Sequence, residues 1–234
     1  MNFSKLKPIL TVLALVVIAT VGVLWWRQGS VTRTPAEPKQ QLVTWVDRGI
    51  DEGNRVKFDA KLAEIRSQIA EAEASGKREI SLYLQLGNWL YSTGDLGLAE
   101  DAYRNILSTN PQDVPALQNL GQTLLEMGDV KGAEQVWRQS LTLEPSEDYY
   151  IRLSNLITEK YPARQAEIQK LLEDAIATLG QTPALLIRLA MWYEAKGDFD
   201  QAISHYEVAL QLEPANQSLK DKITELRQKR TETK

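Results

Sequence analysis

An all-α solenoid of stacked helical hairpins, about four repeats plus a C-terminal capping helix behind an N-terminal transmembrane helix, is the fold class the sequence predicts. Three observations predict it. The chain is similar to itself at a period of 34 residues, it opens with an uncharged apolar run from Ile9 to Trp26, and a single apolar stripe at helical spacing joins the two regions. Fixed-period self-similarity is the signature of repeat architectures.

The run ILTVLALVVIATVGVLWW fills 9–26 without a charge. As a helix it spans about 27 Å, close to the ~30 Å hydrocarbon core of a bilayer. Lys5 and Lys7 precede it and Arg27 follows, while Trp25 and Trp26 stand at the boundary where amphipathic rings favour the headgroup layer. With no ionisable group inside, the segment is read as an anchor rather than a transport path. A cleaved signal peptide is the rival. Its apolar stretch normally runs about 7–15 residues to a small-x-small site, and the available Val17-Ile18-Ala19 lies inside the run. The short head, 1–8, carries Lys5, Lys7 and the terminal amine, which favours a cytoplasmic N-terminus; Arg27, Arg33 and Lys39 weigh against it. The expected placement is a single-pass cytoplasmic (inner) membrane protein with its repeat domain on the extracytoplasmic, periplasmic side.

Residues 27–53 are expected to be a tether. GSVTRTPAEPKQ, over 29–40, has two prolines and no apolar run, the composition of an extended linker. Leu42, Trp45, Val46 and Ile50 suggest a short amphipathic helix near its end, and Gly53-Asn54 breaks the chain. Over 54–79 a helical spacer is expected. Phe58, Leu62, Ile65, Ile69 and Ala72 alternate spacings of four and three, one stripe of a helix ending near Gly76. Barely two heptads fall short of the three or four a coiled coil needs. The stripe is therefore read as an N-terminal cover for the first hairpin, with a homodimer as the alternative.

The repeat carries the strongest signal. Gly87, Gly94, Asp95, Ala99, Tyr103 and Pro111 recur 34 residues later as Gly121, Gly128, Asp129, Ala133, Trp137 and Pro145. Five of the six recur again 103 residues after their first appearance as Gly197, Asp198, Ala202, Tyr206 and Pro214, with Ala190 in the place of Gly87. That distance is three periods plus one residue, so a worn copy lies between. The units over 80–216 are 80–113, 114–146, 147–182 (degenerate) and 183–216, followed by a capping helix and basic tail over 217–234. In the worn copy Tyr150, Leu153, Ser154 and Ile157 mark the first helix and Ile168, Leu172, Ala175 and Ile176 the second. Its extra residues fall in the turn Thr158–Ala166, where Pro162 replaces Gly-Asp.

Each position has a physical reason. Gly87 is small so that the paired helix approaches, and Gly94 ends the first helix where a left-handed residue is wanted. Asp95 caps the second helix, Tyr103 is expected to wedge into the neighbouring unit, and Pro111 stops the second helix. A single hairpin exposes an apolar face that the next one buries.

This spacing of small, aromatic and proline positions resembles the tetratricopeptide repeat family across 80–216, closely in three units. The resemblance implies a binding surface built by the first helices, whose recurrent ligand positions carry over to Leu84, Asn88, Tyr91, Gln118, Gln122, Leu125, Ile151, Asn155, Ile187 and Met191. Asn and Gln offer donors and acceptors suited to an extended peptide backbone, and the aliphatic members suit its apolar side chains. Family members that hold a terminal carboxylate use a lysine and asparagine clamp. Asn88, Asn119 and Arg152 resemble parts of it, but the lysine positions hold Leu84 and Asp148, so carboxylate capture is not expected.

Chemistry is limited by what the chain lacks. It has no cysteine and one histidine, His205, which removes thiolate sites and leaves little for a histidine base. No phosphate loop or metal-ligand cluster is present. No catalytic residue, metal or cofactor is expected, and the chain is read as non-enzymatic. The net charge of −4 is uneven: Ile80 to Asn216 holds 19 acidic and 9 basic residues, a balance that repels nucleic acid. The reading that follows is a membrane-anchored scaffold or chaperone-like adaptor that binds extended protein segments. It looks like anchored tetratricopeptide proteins of envelope-protein folding or complex assembly; a self-assembling structural tether is the alternative.

Overall fold

Asp95, Asp129 and Asp198 each accept a hydrogen bond from a backbone N–H three residues on, at Leu98 (3.4 Å), Gly132 (2.9 Å) and Gln201 (3.1 Å). An aspartate so placed satisfies an amide that the first turn of a helix leaves free. The preceding glycines, Gly94, Gly128 and Gly197, have φ of 90°, 94° and 77°, the left-handed conformation that turns the chain out of a helix. The Gly-Asp pair therefore stops one helix and starts the next.

The computed structural model describes residues 42–232. Among the described residues there are ten α-helices and no strand. Helix α1 (Glu52–Ala74) precedes four hairpins: α2 (Ile80–Thr93) with α3 (Leu96–Thr109), α4 (Val114–Met127) with α5 (Val130–Leu143), α6 (Glu147–Lys160) with α7 (Ala166–Leu179), and α8 (Pro183–Ala195) with α9 (Phe199–Leu212). Helix α10 (Gln217–Glu232) follows, burying Leu219, Ile223 and Leu226 against the last hairpin. The head 1–8, the apolar run 9–26 and the tether through 41 lie outside the described residues. Among those described, no helix is long and apolar enough to cross a membrane.

In the first two hairpins the aromatic of the second helix lies against the small residue of its own first helix. A methyl group on Gly87 would overlap the Tyr103 ring, and one on Gly121 would overlap the Trp137 indole. The sequence assigned Tyr103 to the neighbouring unit; the structure has it filling its own hairpin first, because only there is a side chain missing. The rings also reach onward. Tyr103 shares a buried cluster with Leu120 and Leu124 of the second unit, and Trp137 meets Tyr149 of the third edge-on at 6.0 Å. One residue thus serves the hairpin and the stack.

The third hairpin lacks the Gly-Asp turn and closes differently. After α6 a 3-10 turn, Pro162–Arg164, carries the extra residues. Arg164 donates both terminal nitrogens to Glu134 on α5 (2.9 and 2.7 Å) and its Nε to Glu167 (2.7 Å). Arg138 adds a bond to the same buried Glu134 at 2.8 Å. A paired guanidinium fork of this kind fixes geometry as well as charge. The insertion is therefore tied to the preceding unit.

The amphipathic helix expected over Leu42–Ile50 does not form. The segment is extended and lies across the hairpin turns as a strap: Val43 N donates to Met127 O, Val46 N to Gly94 O, and Gly97 N to Thr44 O, each at 2.9 Å. Leu42, Val46, Arg48 and Ile50 are half-buried while Val43, Thr44, Trp45, Asp47 and Gly49 are exposed. From Trp45 to Ile50 the period is two. A spacing of four between Leu42, Val46 and Ile50 fits both periods, and backbone pairing with the turns decides for the strand-like one. The tether expected to run to residue 53 is docked from residue 42 onward. Gly53 does not break the chain either: α1 starts at Glu52, capped by Asp51, which accepts from Asn54 N at 3.0 Å. Its stripe buries Leu62, Ile65 and Ile69, and Phe58 meets Trp89 of α2 edge-on at 5.0 Å.

Two outcomes check this packing. Gly121→Ala gains about 1 kcal/mol of helix propensity, yet overpacking against a rigid indole costs about 1–3 kcal/mol, so urea unfolding should show a net loss. The bond from Arg164, aided by Arg138, holds the Glu134 carboxyl below its usual value of 4.5 against the opposing effect of burial. A depressed carboxylate stabilises the fold above its unfolded pKa and stops doing so as pH falls through the folded one. The stability gap between wild type and Glu134→Gln should be largest near neutrality and shrink below pH 4.5.

Candidate functional site

Stacking the hairpins in sequence order brings the first helices side by side, and polar side chains join them at every step. Asn119 Nδ2 on α4 donates to Asn88 Oδ1 on α2 at 2.9 Å. Arg152 Nη1 on α6 donates to Gln122 Oε1 on α4 at 3.2 Å, and Arg188 Nε on α8 donates to Ser154 Oγ on α6 at 2.8 Å. The four first helices thus form one continuous face with a polar seam.

The seam opens into a hollow of about 230 Å³ lined by Asn88, Tyr91, Ser92, Tyr103, Asn119 and Gln122. Asn88 Oδ1 also accepts from the Tyr103 hydroxyl at 2.8 Å. Two donors use both lone pairs of that oxygen, so toward a ligand Asn88 offers only its N–H groups. Burial pushes the Tyr103 hydroxyl pKa up, keeping it a neutral donor to Asn88.

Of the residues assigned to the groove from sequence, Asn88, Tyr91 and Gln122 meet here. Leu84, Leu125, Ile151 and Ile187 are half-buried flanks of the core clusters. Gln118 is half-buried, and its backbone carbonyl accepts from Trp137 Nε1 at 3.2 Å. Asn155 is exposed on α6. Met191, 49% exposed, belongs to a separate hollow of about 720 Å³ near the C-terminal end, with Glu194, Phe199, Tyr206 and Lys222. Tyr103, Ser92 and Asn119 join the first hollow although the repeat positions did not assign them to it. Tyr103 enters from a second helix, through the gap that Gly87 leaves.

The strap meets Tyr91, one of the residues lining this hollow. Arg48 donates to both oxygens of Glu126 (2.5 and 3.0 Å) and to Tyr91 O (3.2 Å), with its guanidinium 5.0 Å above the Tyr91 ring. The bond to Arg48 holds the Glu126 carboxyl below its usual range, while burial and Glu126 push the Tyr91 hydroxyl up. Nothing local marks this pair, since 78 positions separate its members.

Two further cations were not anticipated in these roles. Arg152 bonds Asp148 at 2.6 Å and lies over Tyr149, so the acid at a former lysine position is neutralised within its own helix. Arg188 is only 9% exposed and forms no ion pair among the described residues. It donates to Ser154 O at 3.1 Å and Thr158 Oγ1 at 2.6 Å, and burial lowers its pKa. His205 is stacked on Tyr193 with centroids 5.4 Å apart, and burial lowers its pKa.

Two stretches, 90–155 and 183–216, match models of the tetratricopeptide repeat. Those two stretches are similar to tetratricopeptide repeats. Solved structures share the fold of this stack of helical hairpins. MamA matches with a TM-score of 0.55 at 17% identity, over 72% of this chain and 98% of that one. A tetratricopeptide repeat protein from Parabacteroides merdae matches with a TM-score of 0.59 at 14% identity, over 74% and 67%. YrrB, described as a TPR protein with an unusual peptide-binding site, matches with a TM-score of 0.51 at 16% identity, over 66% and 77%. No curated protein matches the sequence.

The Asn88 amide holds the seam together as well as facing the hollow. Asn88→Ala leaves Tyr103 and Asn119 without their shared acceptor, a loss of about 1–3 kcal/mol. Urea unfolding should show it, and Tyr103→Phe, which removes a single donor, should show less.

Proposed function

We propose that the chain is a membrane-anchored tetratricopeptide scaffold, or chaperone-like adaptor, that binds extended segments of partner proteins along its first helices. The observation that carries the reading is the hollow where Asn88, Asn119, Gln122 and Tyr91 converge on the shared face of the first two units. Amide donors and a half-buried tyrosine ring suit a peptide backbone and its side chains better than they suit a reacting bond. Supporting it are the fold and the peptide-binding site attributed to YrrB, which shares that fold. The surrounding acidic balance of 19 to 9 favours basic or neutral segments over acidic ones.

The anchor rests on the uncharged run 9–26 with its flanking tryptophans. The proposed placement is a cytoplasmic membrane with the N-terminus inside and the repeats outside, serving envelope-protein folding or complex assembly. The spacer stripe packs on α2, so it does not supply the seam a dimeric tether would draw from it.

A photocrosslinking side chain at position 122 should give a discrete protein adduct in native membranes. The same probe at Gln135, exposed on α5, should not. Equal adducts at both positions would remove the first-helix face from the reading. A reporter fused after Lys234 that is active only outside the cytoplasm tests the orientation; activity of a cytoplasm-only reporter would reverse it.

A further inference from the structure

The strap shows what the turn edge of the first two units accepts. Beneath it lie three carbonyl acceptors, Tyr91 O, Gly94 O and Met127 O, one donor, Gly97 N, the Tyr91 ring and the Glu126 carboxylate. Three of the hydrogen-bonded contacts are made by the strap's backbone and the rest by one arginine, while Leu42, Val46 and Ile50 are half-buried. Val43 and Trp45 face outward, 45% and 54% exposed, and add nothing to the fit. The surface is built for close backbone approach: at Gly94, besides its positive φ, any side chain would run into the carbonyl of Val46. It is also negative, since Glu126 belongs to a stack with 19 acidic and 9 basic residues. A half-buried carboxylate beside an aromatic face takes a guanidinium well, through paired hydrogen bonds and cation–π attraction.

These demands are generic. Any extended chain with an arginine and apolar residues in register meets them, and strand-like addition to exposed backbone groups is a recurrent way of gripping peptides. We propose that the turn edge of the first two units is a docking surface for an extended, arginine-bearing segment of a partner protein, with strap 42–51 as its resident occupant in cis. This rests on the interaction-scaffold reading and names the partner's chemistry. Because Tyr91 belongs to both, occupation of the edge and of the neighbouring hollow is coupled: a partner segment that displaces the strap gains the Tyr91 ring.

The test uses the full chain with Val46→Pro and Arg48→Ala together, which removes the amide bonded to Gly94 O and the arginine while leaving the repeats untouched. The probe is a fluorescein-labelled peptide of residues 42–51, in native sequence and with Arg48→Ala. The released chain should bind the native peptide, and the wild-type chain should bind it at least about tenfold more weakly, since a docked strap leaves only a minor competent fraction. The Arg48→Ala peptide should lose a comparable factor on the released chain. Equal binding by both chains, or no binding by a released chain of unchanged helical circular dichroism, overturns the proposal.

Should the double variant lose helicity, hydrogen exchange on the wild-type chain decides. Excess native peptide should speed exchange at the Val43 and Val46 amides and leave Gly97 protected, as a second extended segment replaces the first; unchanged exchange overturns the proposal. A groove crosslink from position 122 that persists while these tests fail would sink this inference alone and leave the scaffold reading standing.

Discussion

In three of the four hairpins an aromatic ring on the second helix occupies a place where the first has almost no side chain: Tyr103 over Gly87, Trp137 over Gly121, Tyr206 beside Ala190. That contact sets how closely the helices approach. It also aims the rest of the ring at the next unit, so hairpin geometry and stacking geometry follow from one choice of residues. Interiors at this packing density transmit such constraints rather than absorb them. The first helices then have no option but to lie side by side, and the polar seam from Asn88 through Asn119, Gln122 and Arg152 is a consequence.

Where the constraint is missing, the chain supplies another. The third hairpin has no Gly-Asp turn, and its longer connection is held by Arg164 gripping the buried Glu134 of the unit before. A carboxylate taken out of water is stable only when its lone pairs are filled, and here two arginines fill them. The first hairpin has the opposite problem, an exposed end. Helix α1 covers its apolar face and the strap covers its turn, with Arg48 and Glu126 as the fastening.

The legibility of the site followed the same division. Asn88, Tyr91 and Gln122 were legible because the repeat places equivalent side chains on one helix face. Leu84, Leu125, Ile151 and Ile187 share those positions but are half spent on the core, which a position in a repeat does not reveal. Tyr103 enters the hollow only because Gly87 leaves the gap through which a second-helix residue reaches the first-helix face. Arg188 gave no sign at all: a lone arginine in a sequence looks the same whether solvated or buried against Ser154 and Thr158.

By itself the sequence determined the helices, their turns and the four-fold stacking, because each depends on contacts within one period: a cap three residues on, a glycine at a helix end, a ring facing a small residue sixteen positions back. Such local rules are written into spacing. Only the tertiary structure decided the course of residues 42–51. Leu42, Val46 and Ile50 satisfy a helix and a strand equally, and the outcome turned on carbonyls of Gly94 and Met127 that a helix could not have met. A chain segment whose own pattern is ambiguous takes its conformation from distant backbone groups in need of partners, and those become neighbours only once the repeats have stacked.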